Sequence, residues 1–211
     1  MVPLLALALA VGQLPADRAA KWEKEVAGIE KRLAADPPTP GGVVFVGSSS
    51  IRLWDLETSF PGAGYVNVGF GGSEVRDCTH FAGRLVTKHK PRAVVFYAGD
   101  NDLNSGRSPT QVRDDFRAFV KAVPDARIIF IAVKPSPKRW ALYPTQTAAN
   151  RLVKAVCESD PRLKYLDVVS PMLGGDGRPR PELFVKDELH LSPAGYAVWA
   201  PLVNAALRDT P

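Results

Sequence analysis

Four short segments of this chain carry side chains that could do chemistry together: Gly47-Ser48-Ser49-Ser50, Gly69-Phe70-Gly71-Gly72, Gly99-Asp100-Asn101-Asp102 and Asp187-Glu188-Leu189-His190. A serine hydroxyl is a poor nucleophile until a neighbouring base takes its proton during attack. Imidazole suits that task, because histidine titrates near neutrality and can return the proton to a leaving alcohol. Asp187 stands three residues before His190, where it could accept a hydrogen bond from the other ring nitrogen, fix the tautomer and stabilise the imidazolium. Negative charge developing on a carbonyl oxygen needs donors already in place, and an asparagine carboxamide with the amides of glycine-rich turns is of the right type. The chemistry implied is acyl transfer through a serine.

Each segment also has a plainer reading. A serine cluster is commonly a helix N-cap, Asn101-Asp102 could be an Asx turn and Gly69 to Gly72 a tight loop, and a lone histidine is more often a surface residue. His80 and His89 have no acid at the Asp-x-x-His spacing; His190 does. Asp100, Asp102, Asp187 and Glu188 have no second histidine or cysteine at ligand spacing, so neither a metal nor any other cofactor is expected.

Five apolar runs rich in β-branched and aromatic residues read as strands: Val43-Val46, Tyr65-Val68, Ala93-Ala98, Arg127-Val133 and Lys164-Val168. Helical stretches lie between and after them, at Val75 to Lys88, Pro109 to Val123, Thr145 to Ser159 and Ser192 to Leu207. This alternation predicts an α/β protein, a three-layer α/β/α sandwich around a five-stranded parallel sheet. In such sheets chemistry sits outside the carboxyl ends of the strands, where the strand order reverses. Three of the four segments follow the first three strands, and the fourth precedes the last helix. Lys21 to Leu33 has amphipathic helical spacing, and the Pro/Gly-rich stretch from Asp36 to Gly42 stops it. With no internal repeat or long linker, the organisation expected is an N-terminal tail over 1–16, a helix and linker over 17–42, and one catalytic domain over 43–211.

Taken in order, the segments resemble the blocks of the SGNH (GDSL) hydrolases, among them GDSL-type esterases and lipases and platelet-activating-factor acetylhydrolase-like members. Phe45-Val46-Gly47-Ser48-Ser49-Ser50-Ile51 is similar to the first block, which places the nucleophile on Ser49. Asn67 to Ser73 resembles the second and puts an oxyanion-hole amide on Gly72; Gly99-Asp100-Asn101-Asp102 resembles the third and puts the next donor on Asn101. Asp187-Glu188-Leu189-His190 resembles the last, with Asp187 and His190 completing a triad. The resemblance implies a flavodoxin-like SGNH fold and a third oxyanion donor in the Ser49 amide. One residue departs from the pattern: the usual aspartate before the nucleophile is Ser48, whose hydroxyl could bond neighbouring backbone but carries no charge.

Trp54, Arg139, Trp140 and Tyr143 fall near the expected mouth, and Arg139 with Trp140 are the candidate substrate contacts. The expected activity is hydrolysis of a carboxylic ester through an acyl-enzyme, with short acyl groups such as acetyl favoured and a small molecule or glycan as the ester. The alternative is a non-catalytic carbohydrate-binding or scaffolding member of the same fold.

The net charge of +5 does not imply nucleic-acid binding, because the basic residues are scattered and mostly stand beside acids, as in Lys21-Trp22-Glu23-Lys24-Glu25. Val2 to Val11 is an unbroken apolar run followed by charge-free sequence to residue 16. That pattern predicts a signal peptide and export to the periplasm or medium, although no Lys or Arg precedes the run; without a signal the protein is cytoplasmic. The run is too short to span a bilayer. Cys78 and Cys157 read as packing thiols, with a single bridge as the alternative on export.

Overall fold

A computed structural model describes residues 14–208. The signal-peptide expectation falls almost wholly on residues 1–13, outside the described part.

Five strands, β1 (Val43–Gly47), β2 (Val66–Asn67), β3 (Ala93–Tyr97), β4 (Arg127–Ile131) and β5 (Leu163–Leu166), form one parallel sheet in the order β2-β1-β3-β4-β5. β1 and β3 are buried along their whole length, which is why they read as continuous apolar runs rather than alternating ones. Successive residues point to opposite faces. Val44, Val46, Val94 and Phe96 meet α1 (Ala16–Ala35), α4 (Val75–His80), α5 (Ala82–Leu85), α7 (Pro109–Ala122) and α8 (Tyr143–Glu158). Val43, Phe45, Val95 and Tyr97 meet α2 (Ser49–Arg52), α3 (Leu56–Ser59) and α9 (Pro193–Arg208). The remaining helix, α6 (Asp100–Asn104), follows β3 directly. The strand order reverses between β1 and β3, whose register from Val43↔Ala93 to Gly47↔Tyr97 brings their carboxyl ends level. The loops carrying Ser49 and Asn101 therefore open at one point on the sheet edge.

α1 runs past the expected Lys21 to Leu33 at both ends, and buries Trp22, Val26, Ile29 and Leu33 as one stripe. Each such side chain contributes about 1.5–3 kcal/mol on burial. α7 begins at a capping box, Ser108 with Gln111, and Pro109 in the first turn.

Side chains that compete for the backbone explain where strands and helices end. β4 stops at Ile131 rather than Val133, because the Asn150 carboxamide takes both backbone groups of Val133, at 2.8 and 2.9 Å. β5 stops at Leu166 because Asp167 accepts from the amides of Val169 and Ser170. β2 is short because Asn67 donates to the carbonyls of Ile51 and Trp54 and accepts from the Gly69 amide. The single helix expected over Val75 to Lys88 is three pieces: α4, α5 and a 3-10 turn at Thr87–His89. Thr79 bonds back to the Val75 carbonyl, and Gly83 weakens helical preference further along.

Cys78 and Cys157 are buried free thiols, each driven toward its neutral form first by burial. Among the described residues no helix is long and apolar enough to cross a membrane.

Candidate active site

Ser49 stands where β1 turns into α2. Gly47 has φ of +147°, and a Cβ there would lie 1.9 Å from the Tyr97 carbonyl oxygen, so only glycine lets the chain leave the sheet this close to β3. The Ser48 amide donates to that same carbonyl at 2.9 Å. Ser48 is the extended residue before α2, but its hydroxyl makes no capping bond, so the side-chain support expected of it is not supplied in that form. The turn is held from beneath instead, by the Tyr196 hydroxyl on the Ser50 carbonyl at 2.9 Å. α2 is a single turn, too short for a helix dipole of consequence. What Ser49 offers an oxyanion is its own amide, which as the first in a helical turn has no intrahelical acceptor.

Asp187 and His190 share one tight loop. Asp187 Oδ1 accepts from the amides of Leu189 and His190, each at 2.9 Å, leaving Oδ2 free to meet His190 Nδ1 at 2.6 Å. The three-residue spacing thus makes one carboxylate both the turn's cap and the imidazole's partner. Glu188 takes the left-handed conformation that closes the loop, φ 59°, and Val185 pairs its amide with the His190 carbonyl. His190 Nε2 then reaches Ser49 Oγ at 2.9 Å, bridging 141 residues of sequence. The Asp187 side chain is 48% exposed. Burial pushes its carboxyl up, but the bonds from His190 and Leu189 outweigh that and hold it down at about 2.

The second and third segments leave the strands on either side of β1, and the Phe70 amide donates to the Gly47 carbonyl at 2.9 Å beside the turn that carries Ser49. Gly72 is exposed with φ of +78°, a conformation only glycine adopts freely. The Asn101 Nδ2 donates to the carbonyl of adjacent Ser73 at 3.0 Å, which joins the two loops. A carboxamide nitrogen carries two hydrogens, so one is left for a substrate oxygen. α1 braces the Gly-rich loop from outside: Glu25 accepts from the Gly71 amide at 3.1 Å, and Trp22 packs edge-on against Phe70. Arg18 forks onto Asp77 with both bonds at 2.7 Å and reaches Glu74 at 3.0 Å.

The expected substrate contacts sit differently from the reading of the sequence. The Arg139 guanidinium turns inward onto Asp100 and Asn101 rather than out to the mouth, because a buried carboxylate attracts it more strongly than solvent does. Trp140 is partly buried, stacked on Tyr143 with centroids 4.4 Å apart, and carries the Arg178 guanidinium at 5.0 Å. A sugar stacking on the Trp140 face would have to displace one of these partners. Trp54 is core, packed among Phe45, Phe60, Tyr196 and Trp199.

Several residues that shape the site gave little sign in the sequence. Lys134 is 1% exposed, past the end of β4, and donates to the Leu189 carbonyl at 2.8 Å. Asp102 is fully buried and accepts from the Val75 amide with both oxygens, at 3.1 and 3.2 Å. Burial, and then the charge of Glu74, raise its carboxyl to about 7, against the Val75 bond and the more distant Arg107.

That elevation has a thermodynamic sign. Between the unfolded value near 4 and the folded value of about 7, the native state holds a proton that the unfolded chain has released, so stability falls as pH rises across this window. Asp102→Asn stays neutral and is expected to remove that contribution, of the order of a few kcal/mol. The melting temperature of the wild type should fall relative to that of Asp102→Asn between pH 5 and 8; a constant difference would show that Asp102 does not titrate across this window.

Residues 52–198, more than half of the chain, match the model of the GDSL-like lipase/acylhydrolase family. The chain belongs to this family. The matched region begins just past Ser49 and includes Asn101, Asp187 and His190. No curated protein matches by sequence. Solved structures with the same fold include a GDSL-like lipase from Bacteroides thetaiotaomicron, with TM-score 0.71, 18% identity, and coverage of 90% of this chain and 97% of that one. A member of the lipolytic G-D-S-L family from Veillonella parvula aligns with TM-score 0.66 and 18% identity over 80% of this chain and 99% of its own. An acetylxylan esterase from Geobacillus stearothermophilus, solved as a catalytic mutant, gives TM-score 0.63 and 18% identity over 79% and 94%. At these identities the likeness is one of fold, and the fold is the expected SGNH α/β/α sandwich.

Proposed function

We propose that this GDSL-family hydrolase is a serine esterase that cleaves carboxylic esters with short acyl groups, acetyl foremost, through an acyl-enzyme on Ser49. The observation that carries the reading is the continuous line from Asp187 Oδ2 to His190 Nδ1 at 2.6 Å and from His190 Nε2 to Ser49 Oγ at 2.9 Å. Ser49 Oγ attacks the ester carbonyl carbon as its proton passes to His190 Nε2. The tetrahedral oxyanion is met by the amides of Ser49 and Gly72 and by Asn101 Nδ2. Collapse breaks the bond to the alcohol oxygen, which leaves with the proton from His190. Water then gives a proton to the same nitrogen, adds to the acyl carbon, and releases the carboxylic acid with Ser49 restored.

The elements that carry Ser49 are short, five residues in β1 and four in α2, which favours a small acyl group over a long one. The acetylxylan esterase among the structural neighbours acts on a small acyl group carried by a glycan, and supports the same preference. The test is a series of p-nitrophenyl esters from acetate to dodecanoate with the purified protein. Acetate is expected to give the highest kcat/KM. Faster dodecanoate would overturn the acyl preference, and silence on every ester would favour a binding role.

A further inference from the structure

Resting on the esterase reading, we propose that Arg139 is a positioning residue for the oxyanion donor: it grips the Asn101 carboxamide by its oxygen so that the NH2 faces the cleft.

Both terminal nitrogens of Arg139 approach Asn101 Oδ1 at 3.2 Å, and one also meets Asp100 Oδ2 at 2.7 Å. A guanidinium has donors only, so the atom facing it must be the carbonyl oxygen and the NH2 must lie on the opposite side. There the NH2 meets the Ser73 carbonyl at 3.0 Å. Flipping the carboxamide would set NH2 against guanidinium and oxygen against oxygen at once. Without Arg139 only the single Ser73 bond would choose between the two orientations, and the wrong one presents a lone pair to the oxyanion.

The guanidinium is itself held fast. Asp100, 5% exposed, accepts from Gln146 Nε2 at 3.0 Å through its other oxygen and lies 3.9 Å from Lys134 Nζ. Lys134 in turn bonds the Leu189 carbonyl, between Asp187 and His190. One chain of charges, buried Lys134 and Asp100 with half-buried Arg139, therefore ties the loop of the base to the oxyanion donor, and fixes both against the same carboxylate. Lysine at 139 could keep the charge but not the fork that spans Asp100 and Asn101.

The experiment is a double-mutant cycle on p-nitrophenyl acetate with Arg139→Met, Arg139→Lys, Asn101→Ala and Arg139→Met/Asn101→Ala. Asn101→Ala is expected to lower kcat by about 100- to 1000-fold. Arg139→Met should lower kcat by about 10- to 100-fold, less than outright loss of the donor, with KM nearly constant. Added to Asn101→Ala it should cost nothing further. Arg139→Lys should fall with Arg139→Met, and it carries the test should the methionine variant fail to fold. A multiplicative loss in the double variant, a rise in KM at constant kcat, or full activity of Arg139→Lys would each overturn the proposal. Independently of turnover, the side-chain amide of Asn101 in 15N-labelled protein should be rigid in the wild type and mobile in both Arg139 variants; equal order in all three would overturn it as well. Should the wild type hydrolyse no ester, the esterase reading fails while the amide measurement still decides the role of Arg139.

Discussion

Ser49→Ala is expected to lower p-nitrophenyl acetate turnover by about a millionfold, whereas Ser48→Ala should retain most of it. The two hydroxyls are adjacent but not equivalent. Ser49 Oγ lies 2.9 Å from His190 Nε2, so its loss removes the atom that forms the acyl bond. The Ser48 side chain is buried and makes no cap on α2, so its loss removes neither a proton path nor a helix cap. Turnover at saturating substrate, with an active-site titration to count competent molecules, checks both. Appreciable activity in Ser49→Ala would place the nucleophile elsewhere, and a dead Ser48→Ala would point to Ser48.

Asp187→Asn is expected to cost about 10,000-fold in kcat while leaving the loop folded. An asparagine oxygen can still accept from the Leu189 and His190 amides, which in the wild type hold Asp187 Oδ1 at 2.9 Å. The group then facing His190 Nδ1 is an NH2, a donor, which forces the imidazole proton onto Nε2. A protonated Nε2 cannot take the proton of Ser49. The wild-type carboxylate, held at about 2, is ionised at every pH where the enzyme would work. The pH dependence of the wild type between pH 5 and 9 should therefore owe nothing to titration of Asp187 itself. Recovery of activity at high pH would show that Asp187 acts mainly by charge, not by fixing the tautomer.

Much of this site is written locally. Short unbroken apolar runs at Val43-Val46 and Ala93-Ala98 make the strands legible, because a parallel strand covered on both faces needs apolar side chains on each. The Asp-x-x-His spacing places acid and base in one turn with no help from the rest of the chain, and the glycines at 47 and 72 mark where backbone must bend or approach. Element ends were less legible: Asn150, Asn67 and Asp167 take backbone groups that a strand would otherwise use, and only packing brings Asn150 from α8 to β4.

The sequence by itself determined the fold class, the order of the four segments, and the types of group that could act on an ester. Those properties depend on periodicity and on spacings of a few residues. Only the tertiary structure decided that Arg139 turns onto Asn101 rather than toward substrate, that Lys134 is buried under the His190 loop, and that α1 braces the Gly-rich loop through Glu25 and the start of α4 through Arg18. Each of these joins residues 38 to 59 positions apart. At such separations the partner of a charge is chosen by which surfaces the sheet and helices bring together, and by how completely they exclude water from the pair.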